Sequence, residues 1–183
     1  MSLFQADSRA LQRPFRHRLA ADGPARTYEW LVELLEAQAP RLRGQNVLYV
    51  ALTGDSRGLD WIAEHAASPV DPSWGVAAAM LHPTWDRVHG WLRTNGSLQL
   101  VGLDALLACR APCASMSPVH QRCAPTLAEP GSAEDVRLCL AEVLAERNTP
   151  RVREAVGAID RELDVILRAE APRLWPADLP AQA

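Results

Sequence analysis

Three stretches decide how this chain folds: LYVALTGD at residues 48–55, VAAAMLHP at 76–83 and VGLDALLA at 101–108. Each is apolar on nearly every side when wound as a helix, which predicts helices packed between neighbours. Each also follows a stretch whose apolar residues recur three and four positions apart, the spacing of a helix with one wet face. Strict alternation, the mark of a strand, is missing from all of them.

Working outward, Thr27 reads as an N-cap for a helix running to Pro40, with Trp30, Leu31, Leu34 and Leu35 inward and Glu29, Glu33 and Glu36 outward. Gly44 and Gly54 bound the first apolar helix, Asn46 to Thr53. Asp55 or Ser56 then caps a helix with Leu59, Ile62, Ala63 and Ala66 on its stripe and Asp60 and Glu64 outside. Pro72 starts the second apolar helix, with Trp74, Ala77, Ala78 and Leu81 in one line. Thr84 caps the next, striped by Trp85, Val88 and Leu92 against Asp86, Arg87 and Arg93 and ended by Asn95 and Gly96. The third apolar helix, Leu98 to Cys109, is interrupted by Gln99 and Asp104 alone.

One-faced and buried helices therefore alternate, as they do when antiparallel pairs stack with one helix in an outer layer and the other in an inner one. The three near-copies begin 28 and then 25 residues apart. In this pattern the chain resembles HEAT-like α-solenoid proteins, with repeats shorter than is usual for them. The resemblance implies an all-α fold of stacked antiparallel helical hairpins, a single domain spanning 1–183. Its expected parts are an N-terminal helical segment (1–26), a repeat core (27–110), an irregular loop (111–131), two closing helices (132–170) and a tail (171–183). Prolines 112, 118, 125 and 130 break the loop, leaving room for a short helix at Ser117 to Cys123. In the closing pair, Ser132 with Asp135 fits a capping box ahead of Val136, Cys139, Leu140 and Val143. Thr149 and Pro150 open the last helix, where Val152, Ala155, Val156, Ile159, Leu163 and Ile166 face one way.

Composition excludes several classes of function. All 19 basic residues are Arg, and the formal net charge is −3, so no overall positive field would hold the chain on nucleic acid or an anionic membrane. The N-terminus carries charges every few residues, without the apolar core of a secretory signal, and no apolar run is long enough to span a bilayer. A cytoplasmic location follows as the expectation.

Chemistry is harder to find. Cys109, Cys113, His120 and Cys123 offer thiolates and an imidazole, the donors zinc prefers, at a spacing that matches no tight zinc motif. Cys109 ends an apolar helix and Cys139 lies on an apolar stripe, so reduced thiols in core or loop are expected, with neither metal nor cofactor. His82, Asp86 and His89 neighbour one another on or beside one helix but lack the paired histidines of a helical metal site. No nucleophile elbow, phosphate-binding loop or dinucleotide fingerprint is present. Asp104, a carboxylate in an apolar helix, reads as an anchor between repeats, the other reading being a charge that faces a partner.

Six tryptophans stand beside two each of Phe and Tyr. Trp30, Trp74 and Trp85 fall on stripes and belong to the core. Trp61 and Trp91 fall off theirs, where Trp serves either a partner or a neighbouring hairpin. The expected function is therefore non-enzymatic protein binding through Trp61, Arg87, Trp91, Arg93, Met116, His120 and Arg122. Small HEAT-like proteins of this kind resemble immunity or adaptor proteins that accompany secreted bacterial toxins, including those of type VI secretion, which implies a toxin or secretion component as partner. The alternative is a HEAT-like enzyme that excises alkylated bases, for which Trp85 with Asp86 is the nearest local match and Arg147, Arg151, Arg153 and Arg161 the nearest basic edge.

Overall fold

The computed structural model describes residues 8–67, 70–110, 127–128 and 131–174. Among them all regular structure is helical, in eight helices. The chain divides into two compact units, Met1–Pro130 and Gly131–Ala183.

In the first unit, α1 (Ser8–Glu36) is two helical stretches joined at Gly23, which has φ 78° and ψ 177°. Pro24 favours the break, because its ring disfavours helical geometry in the residue before it, and glycine adopts the positive φ found there without steric cost. Thr27 was expected to cap a helix starting there. It lies instead inside α1, fully buried, and its Oγ1 donates to the Gly23 carbonyl at 2.7 Å. Leu11 and Phe15 before the kink, and Leu31 and Leu35 after it, form the buried side.

The second helix, α2, spans Pro40–Leu52 and so starts well ahead of Asn46. Proline suits its first turn, where an N–H would have no partner. Gly44, expected at the boundary, is inside, because the Trp74 indole presses on it: a Cβ there would stand 3.1 Å from Trp74 Nε1. Asn46 is buried and donates from Nδ2 to the Leu42 carbonyl at 2.9 Å and to Gln38 Oε1 at 3.3 Å.

Then come α3 (Gly58–His65), α4 (Ser73–Met80), α5 (Trp85–Leu92) and α6 (Ser97–Arg110). The α2–α3 turn is held by Asp55 Oδ1, which accepts from Arg57 N at 3.0 Å, while α3 itself has no side-chain cap. Thr84 caps α5 as its sequence implies, accepting from Arg87 N at 3.3 Å. Helices α2, α4 and α6 pack in a row, α2 on α4 and α4 on α6. Against them lie α1 on α2, α3 on both α2 and α4, and α5 on α6.

In the second unit, α7 (Ala133–Glu146) packs on α8 (Pro150–Leu174). Both begin with the hydroxyl caps their sequences imply: Ser132 Oγ accepts from Asp135 N at 3.1 Å, and Thr149 Oγ1 from Val152 N at 3.3 Å. The buried side chains are Val136, Cys139, Leu140 and Val143 against Val152, Ala155, Ile159 and Leu163. The last helix continues past Ala171, where an extended tail was expected. No helix among the described residues is long and apolar enough to cross a membrane.

Candidate functional site

Of the seven residues expected at a partner surface, Trp61, Arg87, Trp91 and Arg93 lie among the described residues. Trp61 is 3% exposed, and its ring lies between His65, 4.6 Å away, and Trp74 of α4, 5.8 Å away and within 11° of parallel. His65 Nδ1 stands 2.9 Å from the Trp61 carbonyl, which fixes the imidazole against the indole. Trp91 is 6% exposed and lies over Gly102, where an added Cβ would stand 3.4 Å from Trp91 Cβ. Both tryptophans are thus core residues, correcting the expectation that they stand outside it. The physical reason is that the buried arc of these two-turn helices is wider than one stripe: α3 packs on both α2 and α4, and Trp91 borders the Trp85, Val88 and Leu92 line on the side that meets α6.

Arg87 is committed within the fold, its Nη1 donating to Asp60 Oδ1 at 2.6 Å across from α5 to α3. Arg93 ends α5 and is exposed. Met116, His120 and Arg122 lie outside the described residues, as do Cys113, Cys123 and the short helix expected at Ser117 to Cys123. Cys109 is half-buried and Cys139 buried, the second in the other unit. No cluster of three His, Cys, Asp or Glu suited to a metal occurs among the described residues. His89 stacks on Trp85 at 5.4 Å, while His82 and Asp86 are exposed. At Asp104 the backbone of α6 comes close to Gly75 of α4.

What α2 and α4 present instead is apolar surface. Leu48 and Leu52, one turn apart on α2, are 36% and 49% exposed, and Val76 on the adjoining α4 is 38% exposed. Their helices read as buried almost all round, so the sequence concealed which positions face outward. An all-round apolar helix carries no polar face to mark its open side. The half-buried Met80 follows Val76 one turn on, the same spacing as on α2.

The perturbed ionisable groups lie elsewhere and serve as fastenings. Arg57 donates to Asp55 from Nε and Nη2, to Glu29 from Nη1 at 3.1 Å and to the Ala25 carbonyl at 3.3 Å, and its guanidinium sits 4.7 Å over the Tyr28 ring. Tyr28 returns a hydrogen bond from its hydroxyl to the Arg57 carbonyl at 3.2 Å. Hydrogen bonding from Arg57 holds the Asp55 carboxyl below the usual carboxylate range, and burial pushes the Tyr28 phenol up. This knot ties α1 to the turn between α2 and α3. Its donors and acceptors are spent on one another, which suits anchoring rather than proton transfer to a substrate.

Comparison of the chain with protein-family models, curated proteins and solved structures gave no match.

Proposed function

We propose that this chain is a non-enzymatic protein-binding module, a HEAT-like stack of helical hairpins whose α2–α4 face grips a partner protein. The observation that carries the reading is the exposure of Leu48 and Leu52, one turn apart on α2, and of Val76 on the adjoining α4. Large aliphatic side chains left in water on adjoining helices cost free energy, roughly 1.5–3 kcal/mol for each one that burial would recover, and they mark association surfaces when clustered. The alternation of one-faced and all-round apolar helices supports the stacked-hairpin reading, because such stacks expose long helical faces to partners. In the cell the role is that of an immunity or adaptor protein, holding a secreted toxin or a secretion component of the type VI kind.

The test uses products of the genes that flank this one, co-expressed with the chain and purified through it. Wild-type protein should retain one of them, and the Leu48→Ser, Leu52→Ser double variant should lose it while keeping its helical circular dichroism. Retention by the double variant would move the interface elsewhere. A wild-type chain that retains none but turns over a small molecule would replace the binding reading with an enzymatic one.

A further inference from the structure

Four arginines pair with carboxylates within the fold: Arg18 with Asp22, Arg57 with Asp55 and Glu29, Arg87 with Asp60, and Arg137 with Asp160 and Asp164. The helical stretch ahead of the Gly23 kink concentrates basic charge. Ser8–Asp22 holds four Arg and one Asp in a chain whose net charge is −3. Its one acid pairs with Arg18, at 3.4 Å, and Arg18 also lies 4.9 Å over the Trp30 ring. Arg13, Arg16 and His17 stand on the opposite side, three and four residues apart, all exposed and with no carboxylate in ion-pairing range among the described residues.

The geometry points to a second docking surface: we propose that Arg13, Arg16 and His17 receive an acidic helical segment of a partner protein. The spacing is that of carboxylates placed three and four residues apart on an opposing helix, and a guanidinium takes a carboxylate through two parallel hydrogen bonds. A bilayer is the poorer fit, because the apolar side of this stretch is already used. Leu11 and Phe15 are buried, and Phe15 packs edge-on against Tyr49 of α2 at 5.1 Å, so neither is open to lipid. Nucleic acid fits poorly too, since two arginines neutralise few phosphates, and the chain's overall negative charge opposes a long polyanion. The kink adds a structural reason for this placement. Gly23 and Pro24 turn the basic stretch away from the line of Pro24–Glu36, so it can meet a partner along its own axis.

The inference rests on the protein-binding reading but uses a different face, and its test needs no knowledge of the natural partner. The probe is a fluorescent alanine-based helical peptide with glutamates at successive three- and four-residue spacings, titrated with the full chain and read by anisotropy. Competing arms are a single-stranded oligonucleotide of matched charge and anionic phosphatidylglycerol vesicles. Wild-type protein should bind the peptide at low salt, more weakly as salt rises, and more tightly than it binds either alternative. Arg13→Glu with Arg16→Glu should weaken peptide binding about tenfold or more. Arg153→Glu with Arg161→Glu, the same charge change at exposed positions of α8, should leave it within about twofold. Equal weakening by both pairs, tighter binding of oligonucleotide or vesicles, or no peptide binding at low salt would each overturn the assignment. Those results would leave the Leu48 and Leu52 surface untouched, because that surface is read by retention of the flanking-gene product.

Discussion

Helices α4 and α6 meet through an absence of side chain, whereas α7 and α8 meet through side chains that interlock. At Gly75 a Cβ would lie 2.2 Å from Asp104 Cβ, 2.6 Å from the Asp104 carbonyl carbon and 2.7 Å from Ala105 N, so the two backbones nearly touch. Between α7 and α8, four buried residues of each helix fill the space, and Arg137 forks across the edge to Asp160 and Asp164. The lesson is that one chain sets helix spacing in two ways. A contact defined by a missing Cβ cannot absorb growth, and a contact defined by side-chain volume cannot absorb loss.

The sharpest way to break this contrast is Gly75→Val. The collision involves backbone atoms that no rotamer change can move aside, so the expected loss is about 4 kcal/mol or more, or failure to fold. Chemical denaturation followed by circular dichroism measures it. A variant within about 1 kcal/mol of wild type would mean that α4 and α6 do not approach so closely.

That close approach also shows where reading the sequence stops. The apolar periodicity of VAAAMLHP and VGLDALLA announces two buried helices, and the structure has them as α4 and α6. Hydroxyl caps at Thr84, Ser132 and Thr149 are equally legible, because a cap is a local bargain between a side chain and the next turn. Gly75 was not legible as a contact point. Its role depends on Asp104, 29 residues further on, and periodicity carries no information about pairing at that distance. Thr27 failed for the converse reason: its sequence fits a cap, but the helical stretch that follows the Gly23 kink had already begun at Pro24. Trp61 and Trp91 show the same limit, since a stripe drawn along one helix cannot tell how many neighbours that helix will have. For the candidate surface the signal was weaker still, as Leu48, Leu52 and Val76 differ from their buried neighbours only in which way the finished row turns.

The second test takes volume out of the other interface. Leu140 is 2% exposed in the α7–α8 contact, and Leu140→Ala should cost about 2–4 kcal/mol through lost burial and the cavity left behind. The expected signature is a lower denaturation midpoint. A cost under about 1 kcal/mol would show that the pair collapses around the gap, and so is set by something other than side-chain volume.

A third substitution reverses the sign. Gly157 lies in the interior of α8, and the nearest group a Cβ would meet is the end of the flexible Arg161 side chain at 3.6 Å. Gly157→Ala should therefore stabilise by about 0.5–1 kcal/mol, by restricting the unfolded chain and adding helix propensity. The same glycine-to-alanine change at Gly75 should destabilise. Two glycines in helix interiors with opposite responses would establish that spacing, not propensity, governs the α4–α6 contact.

The smallest effect separates fastening by charge from fastening by packing. Asp55 has its carboxyl pKa lowered chiefly by hydrogen bonding from Arg57, so the folded state favours the ionised form more than the unfolded chain does. The resulting stabilisation is present above the unfolded carboxyl pKa, about 4, and disappears as pH falls through the lower folded value. Because the pair is largely open to solvent, the amount is small. Asp55→Asn should consequently lie below wild type in stability at neutral pH, with the gap narrowing as pH drops below about 4. Measuring the difference between the two proteins across that range cancels carboxylates common to both. If the gap were constant with pH, Asp55 would be acting through its turn-forming hydrogen bond to Arg57 N, which an asparagine keeps in part, and the guanidinium would contribute to the knot through its stacking on Tyr28 and its bond to the Ala25 carbonyl. If the gap closes as expected, the tie between α1 and the α2–α3 turn is electrostatic. It should then loosen in acid.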